Sequence, residues 1–529
     1  MIDEHSENAV LLGLDGVPWN LLRRWAEAGK LPNFKQLMDG GAAGPLQSTT
    51  PPTTPLAWPT IATGTWADKH GIYGFHEISG DYTHEMYTGA DLRRPALWDV
   101  MTPAVAANVP MTYPASGVDG AMVSGMITPD RDGGFTHPPE LSQRIEREIP
   151  EYRIELDWYE YADEPDRFLD ELAELVEARK QLMHLLAREY DWRLFFFVFT
   201  APDRLQHLHW DEEVILDHYQ QLDGLVGDMM RYATDNDANL YVVSDHGFGP
   251  ISTFVNLNTL LAENGYLDRK RNDGARGTLS KIGVTKSSVL DGLDRLGIGS
   301  DALVRYLPKS VVDDVARRIP GDHGLYDVDF TETVAFAHDP NQIYINDTER
   351  FDQGIVEPSA VEEVKQDIAT ELTRAEDPET GERALEIHDG ADLFPTDPDA
   401  PDLIAVGRGE YEVKTKIADR AFVPADNKAA GHRSEGIFFA WGSNVSPGMA
   451  IDDATVADVA PTVLYGAGEP IPSLADGRVL TEIFSASPST TDSIATERYE
   501  RDSADESDPN QDGNFDDVED RLRGLGYLE

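Results

Sequence analysis

Three aspartates stand just behind apolar runs or a short distance past them: Leu-Gly-Leu-Asp15-Gly, Asp203-Arg-Leu-Gln-His207 and Ser-Asp245-His246-Gly. Gly-His432-Arg-Ser-Glu-Gly brings a further imidazole, and Pro-Thr-Thr54-Pro-Leu-Ala-Trp brings a hydroxyl. Two divalent cations and a nucleophile need about that many oxygen and nitrogen donors. The chemistry these residue types suggest is metal-dependent hydrolysis of phosphate esters.

Each piece alone has a plainer reading. An aspartate after a strand is commonly a helix N-cap. The Asp203–His207 spacing of four is one helical turn, which lets both face one ion or simply pair on a surface. His209 is two residues further and faces elsewhere, so it is expected behind the site rather than in it. Asp245 and His246 are adjacent, and Gly247 offers a turn that can bring both inward. His432 alone reads as a loop histidine ahead of a strand and gains weight from the ligands still needed. Thr54 stands before Pro55, a residue favoured at the first helical position, so Thr54 is expected to be the N-cap. A helix start offers free amides and partial positive charge to a phosphate. Coordination would lower the pKa of its hydroxyl. One metal is expected on Asp15, Asp245 and His246, beside Thr54. The other is expected on Asp203, His207 and His432. Mixed nitrogen and oxygen ligation suits Zn2+, with Mn2+ possible.

Such groups converge only if a scaffold brings strand ends together. Residues 9–14 (Ala-Val-Leu-Leu-Gly-Leu), 194–199 (Leu-Phe-Phe-Phe-Val-Phe) and 239–243 (Asn-Leu-Tyr-Val-Val) read as buried parallel strands. Helical periodicity fills 168–189 and 212–232. This alternation predicts an α/β fold with a mostly parallel central sheet flanked by helices. In such sheets, ligands bind beyond the carboxyl ends of the strands. Further strands are expected at 333–337, 342–345 and 436–440, with helices at 360–372 and 453–465. The chain divides into a first core part over 8–267, an inserted cap over 268–324 and a second core part over 325–484. Residues 485–517, rich in Ser, Thr, Asp and Glu, read as a disordered acidic linker, and 518–529 as a short helix.

The 529 residues are 40% hydrophobic, enough for a large core. With 96 acidic against 44 basic residues, the formal charge is −52. That surface repels nucleic acid and anionic lipid, and it suits a halophilic protein whose acidic coat is screened by concentrated salt. The absence of cysteine excludes disulfides and thiolate zinc sites. With no signal-peptide pattern and no membrane-length apolar run, a cytoplasmic location is expected.

The motifs together resemble the alkaline phosphatase superfamily. The likeness is to its type I phosphodiesterase/nucleotide pyrophosphatase family, in particular the phosphohydrolase/phosphomutase branch. The matching pieces are Gly-Leu-Asp15-Gly, Gly-Lys-Leu-Pro-Asn-Phe at 29–34, and Thr54-Pro-Leu-Ala-Trp-Pro-Thr-Ile-Ala-Thr-Gly with Lys69-His-Gly-Ile after it. Val109-Pro-Met-Thr-Tyr-Pro, Asp203-Arg-Leu-Gln-His207, Ser-Asp245-His246-Gly-Phe and Gly-His432-Arg-Ser-Glu-Gly-Ile-Phe follow. The resemblance implies an alkaline-phosphatase-like core, a two-metal site that is usually zinc, and a covalent phospho-enzyme on Thr54. Nucleotide pyrophosphatases carry a phosphate-holding Asn shortly after the His-Gly-Ile motif. Here that place reads Tyr73-Gly-Phe75-His76, which leaves the phosphate holder unassigned. The sulfatase branch needs a Cys or Ser where this chain has Thr54.

The expected substrate is a small phosphorylated molecule. A phosphotransferase or phosphomutase on the same scaffold is the alternative. A non-catalytic metal-binding factor is the third reading, and it gives no use to Thr54.

Overall fold

The computed structural model describes residues 8–131, 133–156, 161, 164–270, 325, 327–425, 428, 430–485, 494–499, 515, 518–519 and 521–522. A ten-stranded sheet forms its centre. From one edge, the path runs Met449–Ala450, Ala42–Gln47, Glu435–Trp441, Ala238–Val243, Asn8–Leu14, Leu194–Phe199, Ala104–Val109, Gly120–Ser124 and Thr136–His137. Ala454–Thr455 pairs beside Ala42–Gln47, off that path. The four strands from Ala238–Val243 to Ala104–Val109 pair in parallel, while Glu435–Trp441 runs antiparallel to both its neighbours.

Leu194–Phe199 is buried at every position, as its unbroken apolar run requires of a strand covered on both faces. Each buried Phe contributes roughly 1.5–3 kcal/mol by leaving water. Helix Glu212–Asp235 lies between two of these strands in sequence and turns Ile215, Tyr219, Leu222, Val226 and Met229 into the core. Its start is capped by Asp211, whose carboxylate accepts from the amides of Glu213 and Val214.

The mostly parallel sheet flanked by helices is present, and several local expectations are corrected. Strands Ala42–Gln47, Ala104–Val109 and Gly120–Ser124 had no distinct periodic signal, because short runs rich in Ala and Gly resemble loops. Ala335–His338 and Gln342–Ile345 do not resume the main sheet. They belong to a separate four-stranded antiparallel sheet with Leu385–Asp389 and Leu403–Gly407. That sheet packs with helix Val361–Thr373 around its own apolar cluster, including Leu260, Phe336, Ile343, Ile368 and Leu403. An apolar alternation shows that a strand is half-buried but not against which core.

The expected cap over 268–324 lies almost wholly outside the described residues. So does most of the stretch read as a linker, but its Thr496–Glu497 pairs in parallel with Ile471–Pro472. Among the described residues, no helix is long and apolar enough to cross a membrane.

Candidate active site

The register of the parallel strands brings three chain reversals to one edge. Leu14 lies opposite Phe199, and Gly13 lies opposite Val243. Asp15 therefore leaves the first strand beside the start of helix Ala201–Leu208, which carries Asp203 and His207 on consecutive turns. Asp245 and His246 leave the third strand on the other side. Gly16 takes φ +73°, and a Cβ there would lie 3.0 Å from Asp203, so the close approach of these two turns requires glycine.

Two expected placements shift. Thr54 is the first residue of helix Thr54–Thr63, and Thr53 takes the preceding capping position. Pro55 tolerates the second helical position as readily as the first, since neither amide has an intrahelical partner. His432 is not on a loop. It lies on strand Ala430–Arg433, paired antiparallel with Gly247–Pro250 and opposite Phe248. That short hairpin-like pairing carries the imidazole back over the sheet edge from nearly 190 residues downstream.

All seven side chains named from the sequence meet at this edge. Asp203 Oδ1 lies 3.4 Å from His207 Nε2 and 3.3 Å from His432 Nε2, and the two imidazole nitrogens are 3.2 Å apart. His246 Nε2 lies 3.6 Å from Asp15 Oδ1, 3.3 Å from Asp245 Oδ2 and 3.3 Å from Thr54 Oγ1. Bonds of about 2.1 Å in a tetrahedral array place donors about 3.4 Å apart, so both triplets have the spacing a zinc-sized cation needs. Among the described residues, Asp15 Oδ1 and Asp245 Oδ2 are buried without a hydrogen-bond donor, which fits oxygens reserved for a cation. The triplets adjoin: His246 Nε2 is 3.9 Å from Asp203 Oδ1.

Neighbouring groups orient these donors. The Nδ1 of His246 faces the Gly247 carbonyl at 3.1 Å, and that of His432 faces the Pro52 carbonyl at 3.0 Å. Each contact holds the proton on Nδ1 and turns Nε2 to the site. Trp58 donates its indole N–H to Asp15 at 3.2 Å, and the Gly16 amide donates to Asp245 at 3.2 Å. Arg204 donates to Asp203 at 2.6 Å and pairs with buried Glu155, which also meets Arg179. Phe248 lies edge-on to His207 and His432. Sequence reasoning missed these supports. Trp58, Arg204 and Phe248 stand inside the quoted motifs, whereas Glu155 and Arg179 had no local signal. His209, expected behind the site, stacks on Phe168 and belongs to neither triplet.

The electrostatics are those of crowded buried carboxylates. Burial, then Asp245 and Asp203, push Asp15 well above the usual carboxylate range. Asp245 is pushed up to about 7 by burial first and Asp203 second. Burial raises Asp203 as well, but His207, His432 and Arg204 outweigh it and hold that carboxyl well below the usual range. Burial and then Lys428 bring His207 down to about 4, so its imidazole is neutral and able to ligate. Burial and then His246 lower His432 as well. Cations supplied to such a site would take up charge that the protein otherwise relieves with protons.

A cavity opens in front of His207 and His432. Its walls include Tyr73, Phe75, Asn341, Tyr411 and Lys428. Lys428 and Lys414 share Glu412, at 3.0 and 2.8 Å, which leaves the cluster a net positive charge in a strongly acidic chain. The buried His70 of the Lys69-His-Gly-Ile motif faces Thr60 Oγ1 and accepts from the Ile72 amide, so it holds the helix-to-loop turn.

Among curated proteins, no sequence relative matches this chain. Solved structures share the fold. Human ectonucleotide pyrophosphatase/phosphodiesterase 5 is 12% identical, with 90% of this chain and 100% of that one covered and a TM-score of 0.51. An inactive variant of the murine protein in complex with AMP is also 12% identical, with the same coverage and a TM-score of 0.49. A sequence model of the type I phosphodiesterase/nucleotide pyrophosphatase family matches residues 9–438, a span that takes in every donor of both triplets and Thr54. The chain belongs to that family and is a phosphoric ester hydrolase of the alkaline phosphatase superfamily.

Proposed function

We propose that this hydrolase works through a covalent phospho-threonine on Thr54. In this reading one divalent cation is held by Asp15, Asp245 and His246 and a second by Asp203, His207 and His432. The observation that carries the reading is the contact of Thr54 Oγ1 with His246 Nε2 at 3.3 Å, among donors spaced for metal ligation. When bound, such cations lower the pKa of a hydroxyl and of water and offset charge on phosphoryl oxygens. The nitrogen-plus-oxygen donor set favours Zn2+, with Mn2+ as the alternative.

Thr54 Oγ attacks phosphorus as the bond to the leaving oxygen breaks, and its proton passes to solvent. Water then attacks the same phosphorus from the vacated side. The Oγ–P bond breaks, the threonine recovers a proton, and a phosphate, or a monoester if the substrate was a diester, departs. Burial of Thr54 limits competing water at the first step. Lys428 presents its ammonium to the incoming anion at the cavity wall. The acidic composition supports a high-salt working environment with no nucleic-acid or anionic-membrane partner; in this reading the substrate is a small phosphorylated molecule and the location cytoplasmic.

The test is acid-quenched turnover of p-nitrophenyl phosphate and bis-p-nitrophenyl phosphate in molar KCl with added zinc or manganese. Mass spectrometry should find one phosphoryl group on the peptide containing Thr54. Turnover with no label on that peptide, or activity retained by Thr54→Ala, would remove Thr54 from this role.

A further inference from the structure

A third cluster of metal-type donors lies away from the Thr54 centre. His76, His84 and Glu519 each offer one ligand atom, and these atoms all fall within 4.8 Å of one another. The two histidines stand on the paired strands His76–Ile78 and His84–Met86. Glu519 comes from the far end of the chain, where Val518 and Leu522 are buried in the main core.

The orientation of His76 is the second observation. Its Nδ1 lies 3.3 Å from Asp339 Oδ1. The other oxygen of Asp339 accepts from the amides of Phe75 at 2.9 Å and His76 at 3.1 Å, so this carboxylate cannot swing away. A carboxylate on Nδ1 fixes the tautomer that bares Nε2, the arrangement common behind metal-bound histidines. Among the described residues, His76 Nε2 is buried without a hydrogen-bond partner, and it points at Glu519 Oε1 from 3.7 Å. The His84 ring meets the His76 ring edge-on at 5.0 Å. Donors on one zinc are about 3.4 Å apart, so closure asks roughly an ångström of movement, within reach of the half-buried His84 and Glu519.

We propose that His76, His84 and Glu519 bind a further divalent cation of the zinc class, which fastens the C-terminal segment to the hairpin behind the cavity wall. The wall connection is direct: Phe75 and Asp339 both line the cavity. The ion is structural, since none of the three donors reaches the Thr54 centre.

The full chain, stripped with chelator, is loaded with excess zinc at pH 8.5 in molar KCl, dialysed, and its zinc content measured by elemental analysis. Wild type is expected to retain one zinc per chain more than His84→Gln/Glu519→Gln, whatever the Thr54 centre holds. Zinc should also slow proteolysis of the C-terminal segment in wild type and not in the variant. Equal zinc contents, or equal protection in both, would overturn the site. His84→Gln alone, at a half-buried hairpin position, serves as the readout if the double variant fails to match the wild-type circular dichroism in chelator.

Discussion

The two triplets at the sheet edge have nearly the same donors and opposite surroundings. Asp15, Asp245 and His246 are sealed at the carboxyl ends of two parallel strands, with Thr54 against them. Asp203 is equally buried, but its partners His207 and His432 face the cavity. The sealed triplet has two carboxyls pushed up by burial and by one another. The open triplet has one carboxyl, held down by two imidazoles and Arg204. Exchanging one carboxyl for one imidazole thus goes with two environments, which in the proposed mechanism suit the sealed side to preparing the nucleophile and the open side to meeting the substrate.

Substitutions can break this contrast. Thr54→Ala is expected to cost about 10³-fold or more in kcat with metal content unchanged, read by steady-state kinetics and elemental analysis. Next in size, His432→Ala and Asp245→Asn should each lower bound metal by about one equivalent, because three donors are near the minimum for retention. Unchanged stoichiometry in both would dissolve the two-triplet picture. The open side can be tested through Lys428, whose pKa is brought down to about 8 by burial despite Glu412. Its ammonium is present below that pH and lost above it. KM for an anionic ester should therefore rise above pH 8, by about tenfold when the charge is gone. Lys428→Arg should flatten that rise, and Lys428→Ala should show the high KM at every pH.

The smaller effects concern support and stability. Trp58→Phe removes the indole donor to Asp15 and should lower kcat about fivefold, seen in the same assay. In metal-free protein, the raised folded pKa of Asp245 contributes stability that is fully present below the unfolded carboxylate range. That contribution is lost as pH rises towards about 7. Asp245→Asn should accordingly raise the apo Tm at pH 7.5 by about 2 °C or more, measured by calorimetry, while costing activity.

Much of the site was legible because its chemistry sits in short local words. Asp15-Gly, Asp203 to His207 and Asp245-His246-Gly each combine an unbroken apolar run with ligand residues a few positions later. A strand with both faces covered has no other way to be written. His432 was legible only by its motif, since its strand is four residues long and pairs across 184 positions with Phe248. Glu155 and Arg179 left no trace. A buried ion pair is a relation between distant segments, and neither residue differs in sequence from a solvated one.

By itself, the sequence determined the long apolar strands near 9–14, 194–199 and 239–243, the helices that cover them and the side chains that could carry the chemistry, because hydrophobic periodicity and residue type are local properties. The tertiary structure decided the rest. Strand register brought Asp15, Asp203 and Asp245 to one edge, and a second antiparallel sheet took the strands near 340 away from the main one. The return of Ala430–Arg433 and of Glu519 to distant partners is also a matter of pairing. Pairing depends on which surfaces bury one another, and no local pattern encodes that.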